Sequence, residues 1–189
     1  MKDETLYIYL VFSKTGTWLS RALKYFSPSK FVHTSIAFDD TFTEMYSFGR
    51  INPNNPINGG FVKESLYDGV YKKFESSECR IIRVSVTSEQ YEGLKSDIEY
   101  FYTNRHKYKY NFLGLFGVFF KLPIQRKYHY FCSQFVYTLL KKHNLLDLKK
   151  EPELVHTVDL FNIENNSLIY EGLILDMPYR EPLILKNIS

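Results

Sequence analysis

Residues 31 to 48 read FVHTSIAFDDTFTEMYSF, two apolar runs on either side of a polar turn. The first run, Phe31–Phe38, is rich in the β-branched and aromatic residues that favour strands. Asp39-Asp40-Thr41 is a turn signal, and Thr43–Phe48 returns as a second strand. The stretch therefore predicts an antiparallel hairpin. Alternate side chains of a strand share one face, so the first strand groups three residues: His33, Ser35 and Ala37.

The rest of the sequence extends this hairpin into a mixed fold. The unbroken apolar run Leu6–Phe12 predicts a strand that is buried on both faces. Thr87 and Gln90 predict a capping box that opens a helix to about Asn104, whereas Gly49–Gly60 predicts a loop. Interleaved helices and strands favour the α+β class, in a single domain of residues 1–189. The other predicted elements are helices at Trp18–Phe26, from Cys132 to about His143 and near Thr157–Phe161, strands at Phe61–Lys63, Cys79–Val86 and Ser167–Leu175, and irregular structure from Tyr108 to Lys127.

Composition narrows the class of protein. The 189 residues are 44% hydrophobic and 17% aromatic, which suffices for one core. The net charge is +3 and the cations are scattered along the sequence, so no nucleic-acid partner is expected. Neither a signal peptide nor a transmembrane segment is apparent. The two cysteines, Cys79 and Cys132, are expected to be free thiols in a reducing cytoplasm.

Cys132 stands at the start of the apolar stripe of the last long helix, ahead of Phe135, Val136 and Leu139. A helix N-terminus has unpaired amides and partial positive charge, which stabilise a thiolate and can bind a developing oxyanion. Cys132 is therefore a candidate nucleophile. The alternative is a thiol that only packs in the core, which is how Cys79, at the start of a strand, is interpreted.

Among the five histidines, His33 is the best candidate for the base, because the small residues beside it leave room for a second element. Glu44, on the returning strand, is expected opposite the Ser35–Ala37 region. Its carboxylate could then accept the second imidazole N–H and fix the tautomer. The alternative is a core histidine beside a surface glutamate. The other four are His106, His129, His143 and His156.

Three stretches, Phe31–Phe38, Glu44–Gly49 and Tyr130–Val136, together resemble the circularly permuted papain-like cysteine hydrolases of the NlpC type. Lecithin:retinol acyltransferases belong to the same superfamily. The permuted group has a histidine on a strand, a polar residue on the next strand and then a cysteine at a helix start, and this chain has that order. Tyr7–Arg21 and Asn58–Glu64 resemble a bacterial subgroup, so the resemblance spans roughly residues 5 to 145.

The resemblance implies a permuted papain-like fold, with Cys132 as nucleophile, His33 as base and Glu44 as the orienting residue. Alternatives to Glu44 in the third position are Ser47 and Ser35. Tyr7 and Tyr9 are candidates to bind the oxyanion.

The leading functional hypothesis is a thiol hydrolase that cleaves an amide or ester through an acyl-enzyme. Its partner would be a small-molecule, peptide, peptidoglycan-like or lipid acyl substrate, and an acyltransferase would differ only in its acceptor. No metal or other cofactor is expected, because the cysteines and histidines lack ligand spacing and the glycines match no nucleotide fingerprint. The alternatives are a non-catalytic ligand-binding module on the same fold and a single-strand nucleic-acid binder.

The apolar segment 110–120 has two interpretations. It is either a hydrophobic wall or lid for an acyl chain, or a buried element whose glycines permit close packing.

Overall fold

The computed structural model describes residues 5–15, 29–52 and 55–178. Its strands are β1 (Leu6–Lys14), β2 (His33–Ala37), β3 (Met45–Asn52), β4 (Asn55–Glu64), β5 (Glu78–Val86), β6 (Lys109–Tyr110), β7 (His129–Tyr130) and β8 (Asn166–Leu173). The α-helices are α1 (Gly69–Lys73), α2 (Ser88–Thr103), α3 (Phe112–Phe119) and α4 (Cys132–Lys142). Short 3₁₀ turns span Arg105–Lys107, Pro152–Leu154, Thr157–Asn162 and Ile174–Asp176.

Six strands form one antiparallel sheet in the order β4-β3-β2-β1-β5-β8, and β6 pairs with β7 in a short parallel ribbon. The α+β class predicted from the sequence is confirmed. Strand β1 lies inside the sheet, and Ile8–Phe12 is buried throughout, as the unbroken apolar run predicts. One face of the sheet packs on α2 and α4 and the other on Leu66, Tyr71 and Ile174.

The two long helices follow their predicted signals. The Gln90 amide donates to Thr87 Oγ1 (3.2 Å) and the Thr87 amide donates to Gln90 Oε1 (2.9 Å), which closes the capping box of α2. Helix α4 begins at Cys132. The short helix predicted near Thr157–Phe161 is a 3₁₀ turn, and the predicted helix Trp18–Phe26 lies outside the described residues.

The predicted loop Gly49–Gly60 is wrong, because β3 and β4 continue through most of it as a hairpin in which Gly49 pairs with Gly60 and Arg50 with Gly59. A Cβ atom added at Gly59 would lie 2.7 Å from Cβ of Tyr110. Glycine is therefore used here to let a second backbone segment approach the strand, and not to make a turn.

We expect Gly59→Ala to lower the free energy of unfolding by about 1–3 kcal/mol, because Tyr110 or the strand must move to admit the new methyl group. The measurement is urea denaturation. Lys63→Ala, on the same strand, removes only an exposed ion pair with Glu44 and should cost less than about 1 kcal/mol. Equal losses in the two variants would contradict the close-approach explanation.

The irregular structure predicted for Tyr108–Lys127 is also wrong in part, because Phe112–Phe119 is helical. Asn111 caps α3 by accepting from the Gly114 amide at 3.0 Å. A Cβ atom at Gly117 would lie 2.5 Å from the Leu122 carbonyl oxygen. The glycines that lower the helix propensity of this segment thus permit a tight return of the chain. None of the helices in the described ranges is both long and apolar enough to span a membrane.

Candidate active site

The start of α4 is fixed by the C-terminal part of the chain. Gln134 Nε2 donates to the buried carboxylate of Glu153 at 3.1 Å. Thr157, four residues further on, donates its hydroxyl to the Phe31 carbonyl at 2.6 Å. Phe31 lies just ahead of β2, so one segment holds both the first turn of α4 and the approach to β2. Cys132 and His33 are brought to the same place by this connection.

The Cys132 sulfur lies 3.9 Å from the carbonyl oxygen of Val32 and close enough to the His33 imidazole for the two side chains to interact. Cys132 is 2% exposed and the His33 side chain 22% exposed. The structure therefore brings together the first two residues that the sequence singles out.

A carboxylate holds the other side of the imidazole, and it belongs to Glu64 at the end of β4. His33 Nε2 lies 2.8 Å from Glu64 Oε1. The Ser35 hydroxyl donates to the same oxygen at 2.6 Å and lies 3.4 Å from His33 Nε2. Because Nε2 is engaged by these partners, Nδ1 is the ring nitrogen left for the thiol.

The electrostatics of this cluster favour a protonated imidazole. Burial acts to lower the pKa of His33, but the Glu64 carboxylate and the Cys132 sulfur raise it to about 10. Burial likewise acts to raise the pKa of Glu64, and the contacts with His33 and Ser35 hold it below its usual value. Each partner thus stabilises the charged form of the other.

Glu44 is not placed as the sequence analysis expects. Its carboxylate is half exposed, pairs with Lys63 and accepts a hydrogen bond from Tyr46 at 3.2 Å. The reason is strand alternation. Ala37 pairs with Met45, so Met45 lies on the same face of the sheet as His33, and its neighbour Glu44 lies on the opposite face. The carboxylate beside His33 is therefore that of Glu64, not that of Glu44.

Glu64 was missed because the loop predicted for Gly49–Gly60 hid the register of the second hairpin. Met45 pairs with Glu64, which puts Glu64 on the face shared by Ala37, Ser35 and His33. If the second hairpin had been recognised, the alternation of side chains along both hairpins would have placed Glu64 on this face. Of the two serines considered for the third position, Ser35 belongs to the cluster, while Ser47 donates to the Thr34 carbonyl at 2.6 Å.

Tyr110 interacts with the Cys132 thiol, whereas Tyr7 and Tyr9 are engaged elsewhere. Tyr7 stacks on the guanidinium of Arg83, and Tyr9 packs edge-on against Phe42. Tyr110, on β6, has its pKa raised well above the usual value by burial and then by interaction with the Cys132 sulfur. The sequence analysis did not single out Tyr110, because it predicted irregular structure for the segment that contains it.

A cleft of about 380 Å³ opens beside Glu64. Its wall includes Arg50, Val62 and Tyr71. Arg50 contributes positive charge that helps to keep Glu64 ionised, although burial lowers the pKa of Arg50 itself. Across the described part of the chain, no three histidine, cysteine or acidic side chains are grouped so that they could hold a metal ion.

Cys79 has a contrasting environment on β5. It is fully buried, and burial with the charge of Glu171 raises the pKa of its thiol to about 12. Cys79 therefore provides an internal reference for an unactivated thiol.

The chain matches no family model, no curated protein and no solved structure.

Proposed function

We propose that this chain is a cysteine hydrolase of the permuted papain-like kind, with Cys132 as nucleophile, His33 as its proton partner and Glu64 in the orienting position expected of Glu44. The observation that carries the proposal is a thiol at the start of α4 beside an imidazole whose other nitrogen lies 2.8 Å from a carboxylate. A nucleophile that contacts a base, which is in turn oriented by a third group, is the arrangement used in nucleophilic catalysis.

The raised pKa of His33, about 10, sets the direction of proton transfer. In the proposed mechanism the Cys132 sulfur reacts as a thiolate that is paired with the protonated His33 imidazole. The thiolate attacks the carbonyl carbon of an amide or ester. As the tetrahedral intermediate collapses, the His33 N–H protonates the leaving nitrogen or oxygen, and a thioester on Cys132 remains.

Hydrolysis of this thioester uses His33 in its neutral form. It takes a proton from water as the water oxygen attacks the thioester carbonyl. The acid leaves, the sulfur departs as thiolate, and His33 keeps the proton, which restores the starting state. Glu64 stabilises the imidazolium throughout and holds Nδ1 towards the sulfur.

Two groups are available to stabilise the oxyanion. Phe131, the N-cap of α4, has no side-chain oxygen to accept from the amides of the first turn, so these amides can donate to a ligand. The Tyr110 hydroxyl, which interacts with Cys132, is the second. Peptide, peptidoglycan-like and lipid acyl substrates all carry the carbonyl that this arrangement requires.

The test of the proposal is the rate of Cys132 alkylation by iodoacetamide, followed by peptide mass spectrometry. At neutral pH we expect His33→Ala to slow the reaction about tenfold or more, because the thiolate loses its counter-ion. His143→Ala is the matched control, since His143 pairs with Asp97 (2.8 Å) at the far end of α4. Cys79 should react only after unfolding.

Equal alkylation rates in the native chain and in His33→Ala would overturn the proposal. Cys132 would then be a packing thiol, and a non-catalytic ligand-binding module would be the better description of the chain.

A further inference from the structure

Helix α3 and its C-terminal cap carry an exposed apolar face. Leu113, Phe116 and Phe120 are spaced by three and four residues, so they share one side of the helix, and Leu122 lies just beyond. Their exposed fractions are 57%, 56%, 74% and, for Leu122, 58%. We call these four side chains the α3 patch. Large apolar side chains exposed together mark an interaction site.

Hydrogen bonds and packing hold the patch in position. The Leu122 amide donates to the Gly117 carbonyl at 2.9 Å, and Asn111 Nδ2 donates to the Ile124 carbonyl at 3.1 Å. The inward face of α3 packs against the Pro152–Leu154 turn. The apolar side chains therefore point outward because the other side of the helix is already occupied.

The stretches of chain that flank the patch are positively charged. No aspartate or glutamate occurs from residue 100 to residue 146. The Pro152–Leu154 turn and its N-cap add two acids, Glu153, which is buried, and Glu151, which is exposed. Against these stand five exposed cations on the segment that runs into and out of α3, namely Lys107, Lys109, Lys121, Arg126 and Lys127.

We propose that the α3 patch docks the chain on an anionic phospholipid bilayer. Apolar side chains bordered by lysine and arginine are the composition of surfaces that insert shallowly among headgroups. A single-stranded nucleic acid would engage the cations and could stack on Phe116 and Phe120, but it would leave Leu113 and Leu122 in water. A second copy of this chain would have to bring a similar cationic border against this one.

Docking at α3 also orients the candidate active site. Tyr110, whose side chain interacts with Cys132, is separated from α3 by one residue. A docked α3 thus holds Cys132 near the membrane surface, where a lipid ester would be the substrate. The lipid-ester substrate rests on the proposed function, whereas docking itself does not.

The test is flotation with two sets of vesicles, phosphatidylcholine alone and phosphatidylcholine mixed with phosphatidylserine. We expect binding to the mixed vesicles, weaker binding to the neutral ones, and loss of binding at high salt. Phe116→Asp should weaken binding about tenfold or more. The matched control is Leu175→Asp, at a leucine that is 66% exposed outside the patch and should have no effect.

A second pair of variants tests the contribution of the cations to vesicle binding. Joint substitution of Lys121→Glu and Lys127→Glu should weaken binding about tenfold, and Lys72→Glu, at an exposed lysine of α1, should not. Phe120→Ser repeats the apolar test with a milder change should Phe116→Asp not fold. Cys132 alkylation in each variant is an independent check of the fold.

Three results would overturn the proposal. The first is no binding to the mixed vesicles, or equal binding by Phe116→Asp and Leu175→Asp. The second is a dimer that Phe116→Asp dissociates, which would make the patch an interface between copies. The third is salt-sensitive binding of single-stranded RNA that depends on Lys121 and Lys127, without binding to the mixed vesicles. Cys132→Ala should bind vesicles as the native chain does. Failure of the docking proposal can therefore be distinguished from failure of the proposed hydrolase function.

Discussion

Cys132→Ala is expected to lower kcat/KM for an amide or ester substrate at least about a thousandfold, because it removes the atom that forms the acyl-enzyme. The measurement is a panel of fluorogenic peptides, acyl esters and phospholipid esters assayed with the native chain and with the variant. Native protein stopped early in the reaction should carry an acyl adduct on the peptide that contains Cys132.

The control for this loss is Cys79→Ala. Cys79 is the other thiol of the chain and is fully buried on β5. Its replacement is expected to reduce stability slightly and to leave kcat/KM unchanged. Turnover that survives in Cys132→Ala, or that falls equally in the two variants, would refute the assigned nucleophile.

Glu64→Gln is expected to lower kcat/KM about a hundredfold or more, and Glu44→Gln is expected to leave it unchanged. A glutamine can still hydrogen bond to His33 but cannot stabilise its charge. The two glutamates differ in their neighbours: Glu64 contacts His33 and Ser35, whereas Glu44 contacts Lys63 and Tyr46. A loss in Glu44→Gln without one in Glu64→Gln would restore Glu44 to the orienting position.

Glu64→Gln should also change how the free energy of unfolding depends on pH. His33 has a pKa of about 10 in the folded chain and 6.5 as its ordinary value, so between these limits folded His33 keeps a proton that unfolded His33 releases. The stabilisation is complete below pH 6.5 and is lost as the pH rises through 10. We expect the free energy of unfolding to fall by about 1–3 kcal/mol over this range in the native chain, and by less in Glu64→Gln.

The sequence predicts those parts of the fold that rest on local signals. Thr87 and Gln90 define the start of α2, the apolar stripe behind Cys132 defines α4, and Leu6–Phe12 is a strand that is buried from Ile8 onward. In each case the residues that form the element also carry its signal. Cys132 and His33 could be singled out for the same reason, one by its helix start and the other by its strand.

The errors occur where a contact with another segment decides the structure. Gly59 resembles a turn residue until Tyr110 is seen lying against it, and Gly117 resembles a helix breaker until the return of the chain at Leu122 is known. Glu64 depends on two strand registers at once, and a one-residue slip in either moves a side chain to the other face. Local propensity does not contain that information.

The connection between α4 and β2 has a consequence for when the thiol becomes reactive during synthesis. Ser133 and Gln134 are held by Val155 and Glu153, and Thr157 holds the Phe31 carbonyl. A nascent chain that has emerged only to residue 150 contains every proposed catalytic group but lacks this brace. We infer that the site assembles only after residues 153–157 have emerged, so that a shorter nascent chain does not expose an activated thiol to the other proteins around the ribosome.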